Sequence, residues 1–320
     1  MRKKNGYSGI TLYLCDMMTK RYLTIAIIIC CHWLTTSAVV VADSIPELPL
    51  PNVPTTLRTP TDRANYIIQH FWDAMAFGDT IQSHNRMFME QNFSNFISLF
   101  PYAEEEARQR AVGKLLQQAE ADSAGYVLLR DIAEKYLYEP NSPMLSEEFY
   151  ILFLERLVKS PILGEYGQQR AYRQLDAARK NRPGMTAADF AYTTREGNKT
   201  TLHKTDSQGD LLLMFYDPDC EHCKEVMGDL QANKAFCDVV ASGNIKVLAI
   251  YSDDNEELWK QTASSLPANW TVGYDGGMLQ EKGSYVLRAM PTLYLLDHNK
   301  KVILKDVLPA HLLLMLRNNK

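Results

Sequence analysis

The chain has 320 residues, 46% of them hydrophobic and 22% charged, with a formal net charge of −4. Its length exceeds one typical small domain and its composition suits packed cores, which excludes a low-complexity or wholly disordered chain. The small negative balance gives no electrostatic basis for binding nucleic acid or an anionic membrane surface, and six cysteines are too few for a disulfide-stapled fold.

Lys20-Arg21 precedes an apolar stretch from Tyr22 to Val41, and Val40-Val41-Ala42 supplies small residues just before Asp43. Residues 1–42 are expected to be a signal peptide, with Met17 or Met18 as an alternative start. An uncleaved membrane anchor is the competing reading, because the stretch is nearly long enough to span. Cys30 and Cys31 lack the small residue expected before a lipidated cysteine, so no lipoprotein is expected. Residues 43–60 are Pro-rich with few large apolar groups, as in an exposed mature terminus. Cleavage would remove Cys15, Cys30 and Cys31 and leave Cys220, Cys223 and Cys237.

Residues 61–180 carry apolar positions at helical spacing and few β-branched runs, which predicts an all-α domain. Thr61-Asp62 reads as a cap, followed by a face of Ile67, Ile68, Phe71, Trp72 and Met75. Further helices are expected around Phe93, Phe96, Ile97 and Phe100, then over Ala107 to Ala119. Tyr126, Leu129, Ile132, Ala133 and Tyr136 mark the next, then Phe149, Leu152, Phe153 and Leu157, and finally Tyr172 and Leu175. Breaks fall at Pro101, Asp122-Ser123, the Glu139 to Pro143 stretch and Pro161. His70 and His84 have no partners at metal-ligand spacing, and the half shows no chemistry of its own.

A charged, turn-prone segment from Arg179 to Gly184 marks the junction, and residues 185–320 alternate short strands and helices. Phe190 to Thr193 and Thr200 to His203 read as a leading hairpin. Leu211 to Tyr216 and Lys246 to Tyr251 read as buried strands, separated by a helix that runs to about Ala232. A helix over Asp253 to Ser264, a short extended piece at Trp270 to Gly273, a strand from Met290 to Asp297, its return at Val302 to Leu304 and a final helix from Pro309 to Arg317 complete the pattern. It predicts an α/β fold with a central mixed sheet flanked by helices.

Cys220-Glu221-His222-Cys223 sits where the Leu211 to Tyr216 run ends and a helical pattern begins. Two thiols two residues apart at a helix start lie within disulfide reach, and the first faces unpaired N–H groups and the positive end of the helix dipole, which favour the reactive thiolate. A structural zinc site or an inert CxxC are the bland readings. Zinc needs two more ligands, and only Cys237, His203 and His222 are at hand, with none completing a second CxxC or an HxxxH. No metal and no cofactor are expected beyond the Cys220/Cys223 pair. Cys237, after Ala235-Phe236 in a helical pattern, reads as a small buried hydrophobe.

Two motifs, Asp217-Pro218-Asp219-Cys220-Glu221-His222-Cys223 and Ala289-Met290-Pro291-Thr292-Leu293-Tyr294, make residues 185–320 resemble the thioredoxin superfamily, and within it the exported thiol-disulfide oxidoreductases of the cytochrome-maturation type. The helical half resembles an uncharacterised domain found ahead of thioredoxin-like domains in Bacteroidetes envelope proteins. The resemblance implies Cys220 as nucleophile, Cys223 as resolving thiol and Pro291 as a cis-proline, which leaves the Met290 backbone free to pair with an extended substrate segment; X–Pro is the one bond that takes the cis form at low cost. Met214 stands where thioredoxin buries an acid, which removes the usual proton acceptor for Cys223, and Glu221 is a candidate replacement. Asp219 and Glu221 oppose thiolate formation while His222 and the helix dipole favour it, so an intermediate potential is expected.

The expected function is thiol-disulfide exchange with exported cysteine-containing proteins in the periplasm or cell envelope, as a reductant or isomerase rather than an oxidant, recharged by a membrane thiol electron donor. The alternative makes the helical half a partner-binding module and the thioredoxin-like half its docking scaffold. Peroxide chemistry ranks last, since it usually wants a cysteine in a Thr-and-Arg pocket. The sequence does not determine the oligomeric state.

Overall fold

The computed structural model describes residues 47–318. The expected signal peptide, its alternative starts and Cys15, Cys30 and Cys31 lie outside the described residues. Helices α1 (Pro60–His70), α2 (Thr80–Ser83), α3 (Arg86–Ser98), α4 (Glu105–Ala119), α5 (Ser123–Leu137), α6 (Glu147–Leu157) and α7 (Gly164–Ala178) form the first half. The longer ones bury one stripe each, except α6, which buries five consecutive residues, Tyr150 to Leu154, and so is covered all round. Phe93, Phe96, Val112, Leu115, Leu129, Ile132, Phe153 and Leu154 meet in a single core, where Phe96 packs edge-on against Phe100 with ring centroids 4.9 Å apart. The helix starts are capped by side-chain oxygens except at α4 and α7, which have no side-chain cap: Asn85 accepts from Phe88 N, Asp122 from Gly125 N and Ser146 from Phe149 N.

Two local expectations need correction. The cap of α1 is Thr59, whose hydroxyl accepts from Asp62 N, because Pro60 has no N–H to lose and takes the first helical position. In α7 the inward stripe is Ala171, Leu175 and Ala178, and Tyr172 is 64% exposed. One residue past Ala171 is a turn of about 100° around a helix, which carries Tyr172 off the buried face.

The second half builds one seven-stranded sheet from β1 (Ala191–Thr194), β2 (Lys199–Thr201), β3 (Asp210–Tyr216), β4 (Ile245–Tyr251), β5 (Thr271–Tyr274), β6 (Thr292–Leu296) and β7 (Val302–Leu304), in the order β2-β1-β5-β4-β3-β6-β7. Strands β3, β4 and β5 are parallel, and β1, β6 and β7 pair antiparallel with their neighbours. Between them lie α8 (Glu221–Ala232), α9 (Lys234–Ala241), α10 (Glu256–Thr262), α11 (Met278–Lys282) and, last, α12 (Pro309–Asn318).

Strand β3 is an unbroken apolar run because both its faces are covered. Leu212, Met214 and Tyr216 face the side packed by α8, α9, α10 and α12, and Leu211, Leu213 and Phe215 face the side closed by Ala187, Phe190, Leu202, Leu279 and Tyr285. The flanking helices are thus unequal, four on one face and the five-residue α11 on the other. Helix α10 starts at Glu256 rather than Asp253, because Asn255 takes the capping position and accepts from Leu258 N.

The core residues of the two halves fall into separate sets that divide between Ala178 and Ala187, although Glu47–Lys320 forms one compact unit. Charged ties join them, two of them at the junction itself. Arg182 forks onto Glu148 at 2.9 and 2.6 Å, and Lys305 Nζ donates to Lys180 O at 2.6 Å. No helix among the described residues is long and apolar enough to cross a membrane.

Candidate functional site

Strand β3 ends at Tyr216, and the chain turns through Asp217, Pro218 and Asp219 before entering α8. The turn is closed locally: Asp219 N donates to Asp217 Oδ1 at 2.8 Å and Cys220 N to Asp217 O at 3.2 Å. Cys220 is therefore held as the N-cap of α8, with extended backbone, and its Sγ accepts the Cys223 N–H at 3.3 Å. A sulfur in this position occupies the place of a capping oxygen, and the free N–H groups of the first turn stabilise negative charge on it.

Cys223, one turn in, is fully buried against Met214, Val226 and Leu230, whereas Cys220 is half-buried and reachable. Burial pushes the Cys223 thiol up to about 12, offset in part by the Asp217 N–H at its sulfur and reinforced by Cys220. The two thiols thus differ in the way that an attacking and a waiting sulfur must.

Across from them the Met290–Pro291 peptide bond is cis, and Met290 O lies 3.8 Å from Cys220 Sγ. The Thr292 hydroxyl donates to Ala289 O at 2.6 Å, which tightens the turn into β6. Strand β6 is the antiparallel neighbour of β3, with Phe215 opposite Thr292, so sheet register alone brings residues 290–292 beside the thiols.

The neighbouring charges are arranged differently from expectation. Glu221 does not reach Cys223: its side chain is 82% exposed and pairs with Lys224 at 2.6 Å. As the first residue of α8 it points away from the buried side, so it cannot replace the missing acid. Tyr216, in the same core set as Cys223, has a buried hydroxyl without a hydrogen-bond partner; its ring centroid lies 6.2 Å from that of Tyr251. His222 is exposed beside Glu225 at 3.4 Å, and Asp219 is exposed as well. Lys224 and Glu225, which play no part in the spacing of the motif, therefore partly cancel Glu221 and His222.

Cys237 is exposed, not buried, with its Sγ 3.1 Å from Gln231 O. Phe236 takes the inward position of α9, and the next residue is swung toward solvent. His203 is likewise engaged elsewhere, its Nε2 2.7 Å from Ala187 O. His70 and His84 lie in the helical half against Asp73 and Asp122, at 2.8 and 2.6 Å. Among the described residues no three His, Cys, Asp or Glu side chains are grouped to hold a metal ion.

A cleft opens beside the dithiol that sequence reasoning missed. Its walls are His222, Met290 and Pro291 on one side and Pro140, Asn141 and Leu145 of the helical half on the other. Arg288 and Thr292 also border it, but neither makes a peroxide-binding pair. The Thr292 hydroxyl is donated to Ala289, and the Arg288 guanidinium is taken up by Glu147 at 2.9 Å and Asp306 at 2.8 Å. The signal was faint: Glu139-Pro140-Asn141-Ser142-Pro143 reads as an ordinary break between helices.

Compared with known proteins, residues 32–181 match a family described as a domain of unknown function (DUF5106), and residues 183–305 match the AhpC/TSA family. A thioredoxin-like protein from Bacteroides caccae is 33% identical, with a TM-score of 0.78, over 87% of this chain and 100% of its own. A conserved protein of unknown function from Bacteroides fragilis is 40% identical over 42% of this chain and 98% of its own, with a TM-score of 0.41. The thioredoxin domain of a thiol-disulfide oxidoreductase from Bacteroides vulgatus is 18% identical over 43% of this chain and 97% of its own, with a TM-score of 0.38. None of the curated proteins matches.

Proposed function

We propose that this chain, which belongs to the thioredoxin-like family, is a thiol-disulfide oxidoreductase that acts on cysteine-containing proteins of the cell envelope, as a reductant or isomerase. The observation that carries the proposal is the pairing of a half-buried Cys220 at a helix N-terminus with a fully shielded Cys223, opposite Met290 and Pro291. Lys20-Arg21 and the apolar stretch behind it support export.

In the forward direction the Cys220 thiolate attacks one sulfur of a partner disulfide. The partner's S–S bond breaks, its other sulfur leaves as thiolate and takes up a proton, and Cys220 is joined to the partner. Cys223 then loses its proton and attacks the Cys220 sulfur, forming the Cys220–Cys223 disulfide and expelling the second partner thiol. Two electrons pass from the dithiol to the partner, and a membrane thiol donor returns them by the same steps reversed. For isomerisation the mixed disulfide is attacked instead by another thiol of the partner, and no net electrons move. The slow requirement is deprotonation of Cys223, because Met214 supplies no base and Cys223 favours its thiol form.

Cys220→Ser is expected to abolish insulin disulfide reduction, and Cys223→Ser to accumulate mixed disulfides with partner proteins. Titration of the pair against glutathione decides the direction: a potential near or below about −250 mV would mark a reductant, and a value near about −120 mV would mark an oxidant and overturn the assigned direction. A Cys220→Ser chain that keeps its cellular role would favour the helical half as the working module.

A further inference from the structure

We propose that the helical half is a built part of the catalytic cleft: Pro140, Asn141 and Leu145 form the wall that meets the partner protein's residues beside its reacting cysteine. This inference rests on the oxidoreductase reading above and names the surface that selects its substrates. The occupant is an extended, cysteine-bearing segment of a partner protein whose residues next to that cysteine are uncharged.

Three observations carry it. First, the cleft adjoins the dithiol through two of its lining residues, since His222 follows Cys220 by two residues and Met290 O lies 3.8 Å from Cys220 Sγ. A segment joined to Cys220 and extended along Met290 must run into the facing wall, whose residues come from the loop between α5 and α6.

Second, the lining is apolar where the segment would lie, with Pro140, Leu145, Met290, Pro291, Val307 and Leu308. The charged groups that border it, Arg288 and Asp306, neutralise each other at 2.8 Å, so a charged flanking side chain would lose water there without gaining a counter-ion.

Third, the wall is fastened to the proline turn. Arg288, two residues before Met290, donates to Tyr138 O, packs 3.9 Å over the Tyr138 ring and binds Glu147, while Lys305 binds the other oxygen of Glu147 at 2.5 Å. Tyr138 and Glu147 bracket the wall in sequence, so the turn and the wall are held by one buried cluster. Asp306 sits in left-handed backbone at φ 49°, a conformation that Asp tolerates better than most residues, and this places its carboxylate on Arg288.

The test compares two oxidants of the fully reduced full chain in single turnover. Insulin is a protein disulfide that must lie in the cleft, and hydroxyethyl disulfide is small enough to reach Cys220 without touching the wall. Asn141→Trp, at an exposed position, and Leu145→Trp, at a half-buried one, are expected to lower the rate with insulin at least tenfold and to change the rate with hydroxyethyl disulfide less than twofold. An unchanged ratio of the two rates in Asn141→Trp would overturn the proposal, and this variant decides alone if Leu145→Trp does not fold by circular dichroism. Equal loss with both oxidants would overturn it too, since the substitutions would then act on Cys220 itself. A wild-type chain that reacts with neither oxidant would instead refute the oxidoreductase reading, and the wall with it.

Discussion

Replacing Arg288 by Met removes the cation that holds Glu147 and Asp306 together in a pocket where the three side chains are 14%, 9% and 13% exposed. With so little solvent, the loss is not screened away as it would be at the surface. Removing one partner from a buried pair costs about 3–5 kcal/mol, because the remaining charge is left without compensation. Glu147 keeps Lys305 at 2.5 Å, so the uncompensated charge falls mainly on Asp306 and the lower end of that range applies. Loss of the guanidinium from the Tyr138 ring, 3.9 Å away, adds about 1 kcal/mol.

Arg288→Met is therefore expected to lower stability by about 4 kcal/mol, or Tm by about 6 °C for a chain of this size. Urea denaturation followed by tryptophan fluorescence measures it. Adding Asp306→Asn should restore at least half of the loss, since a neutral amide needs no buried counter-charge. A loss below about 1 kcal/mol in the single variant would refute the reasoning, for it would mean that water already screens the cluster.

The remaining expectations follow from the thiols and one close backbone approach. Because Cys223 must lose a proton to attack, the rate at which a mixed disulfide on Cys220 is resolved should rise close to tenfold per pH unit between about pH 6 and 9; stopped-flow release of the partner thiol measures it, and a flat profile would reveal an undetected base. The same group contributes stability that is full below its unfolded value of 9.0 and lost as pH climbs toward about 12, since the unfolded chain ionises first; Cys223→Ala should lack this alkaline loss in pH-dependent denaturation. Brief alkylation of the native, reduced chain followed by peptide mapping should modify Cys220 and Cys237 but not Cys223, and protection of Cys237 would contradict its place on the outer side of α9. Gly209→Ala would set a Cβ 2.2 Å from the Asn244 carbonyl oxygen, where β3 and β4 begin their parallel pairing; a loss of about 1–3 kcal/mol is expected in thermal unfolding, and an unchanged Tm would show that the strand ends shift freely.

Much of the architecture was legible along the chain because each element is decided locally. Apolar residues at helical spacing defined α3 to α6, and the unbroken Leu211 to Tyr216 run announced a strand covered on both faces. The position of Cys220 at a strand-to-helix junction, with Pro291 one residue before the later strand β6, likewise needed no coordinates, since thiol chemistry at a helix start depends on the adjacent backbone.

What failed locally was side-chain direction, which a shift of one residue reverses. Phe236, not Cys237, turned inward, and Tyr172 turned outward beside Ala171. Glu221 sat between the thiols in sequence yet leaned to Lys224.

The cleft and its fastening were decided only by the tertiary structure. Glu147, Arg288, Lys305 and Asp306 are far apart or unpatterned in sequence, and any of them alone reads as a solvated surface charge. Their pairing arises because β6 lies antiparallel to β3 and carries the proline turn toward the loop that ends α5. Periodicity reports which face of an element is buried, but burial of a charge depends on a counter-charge arriving from another part of the chain, and only folding brings the two together.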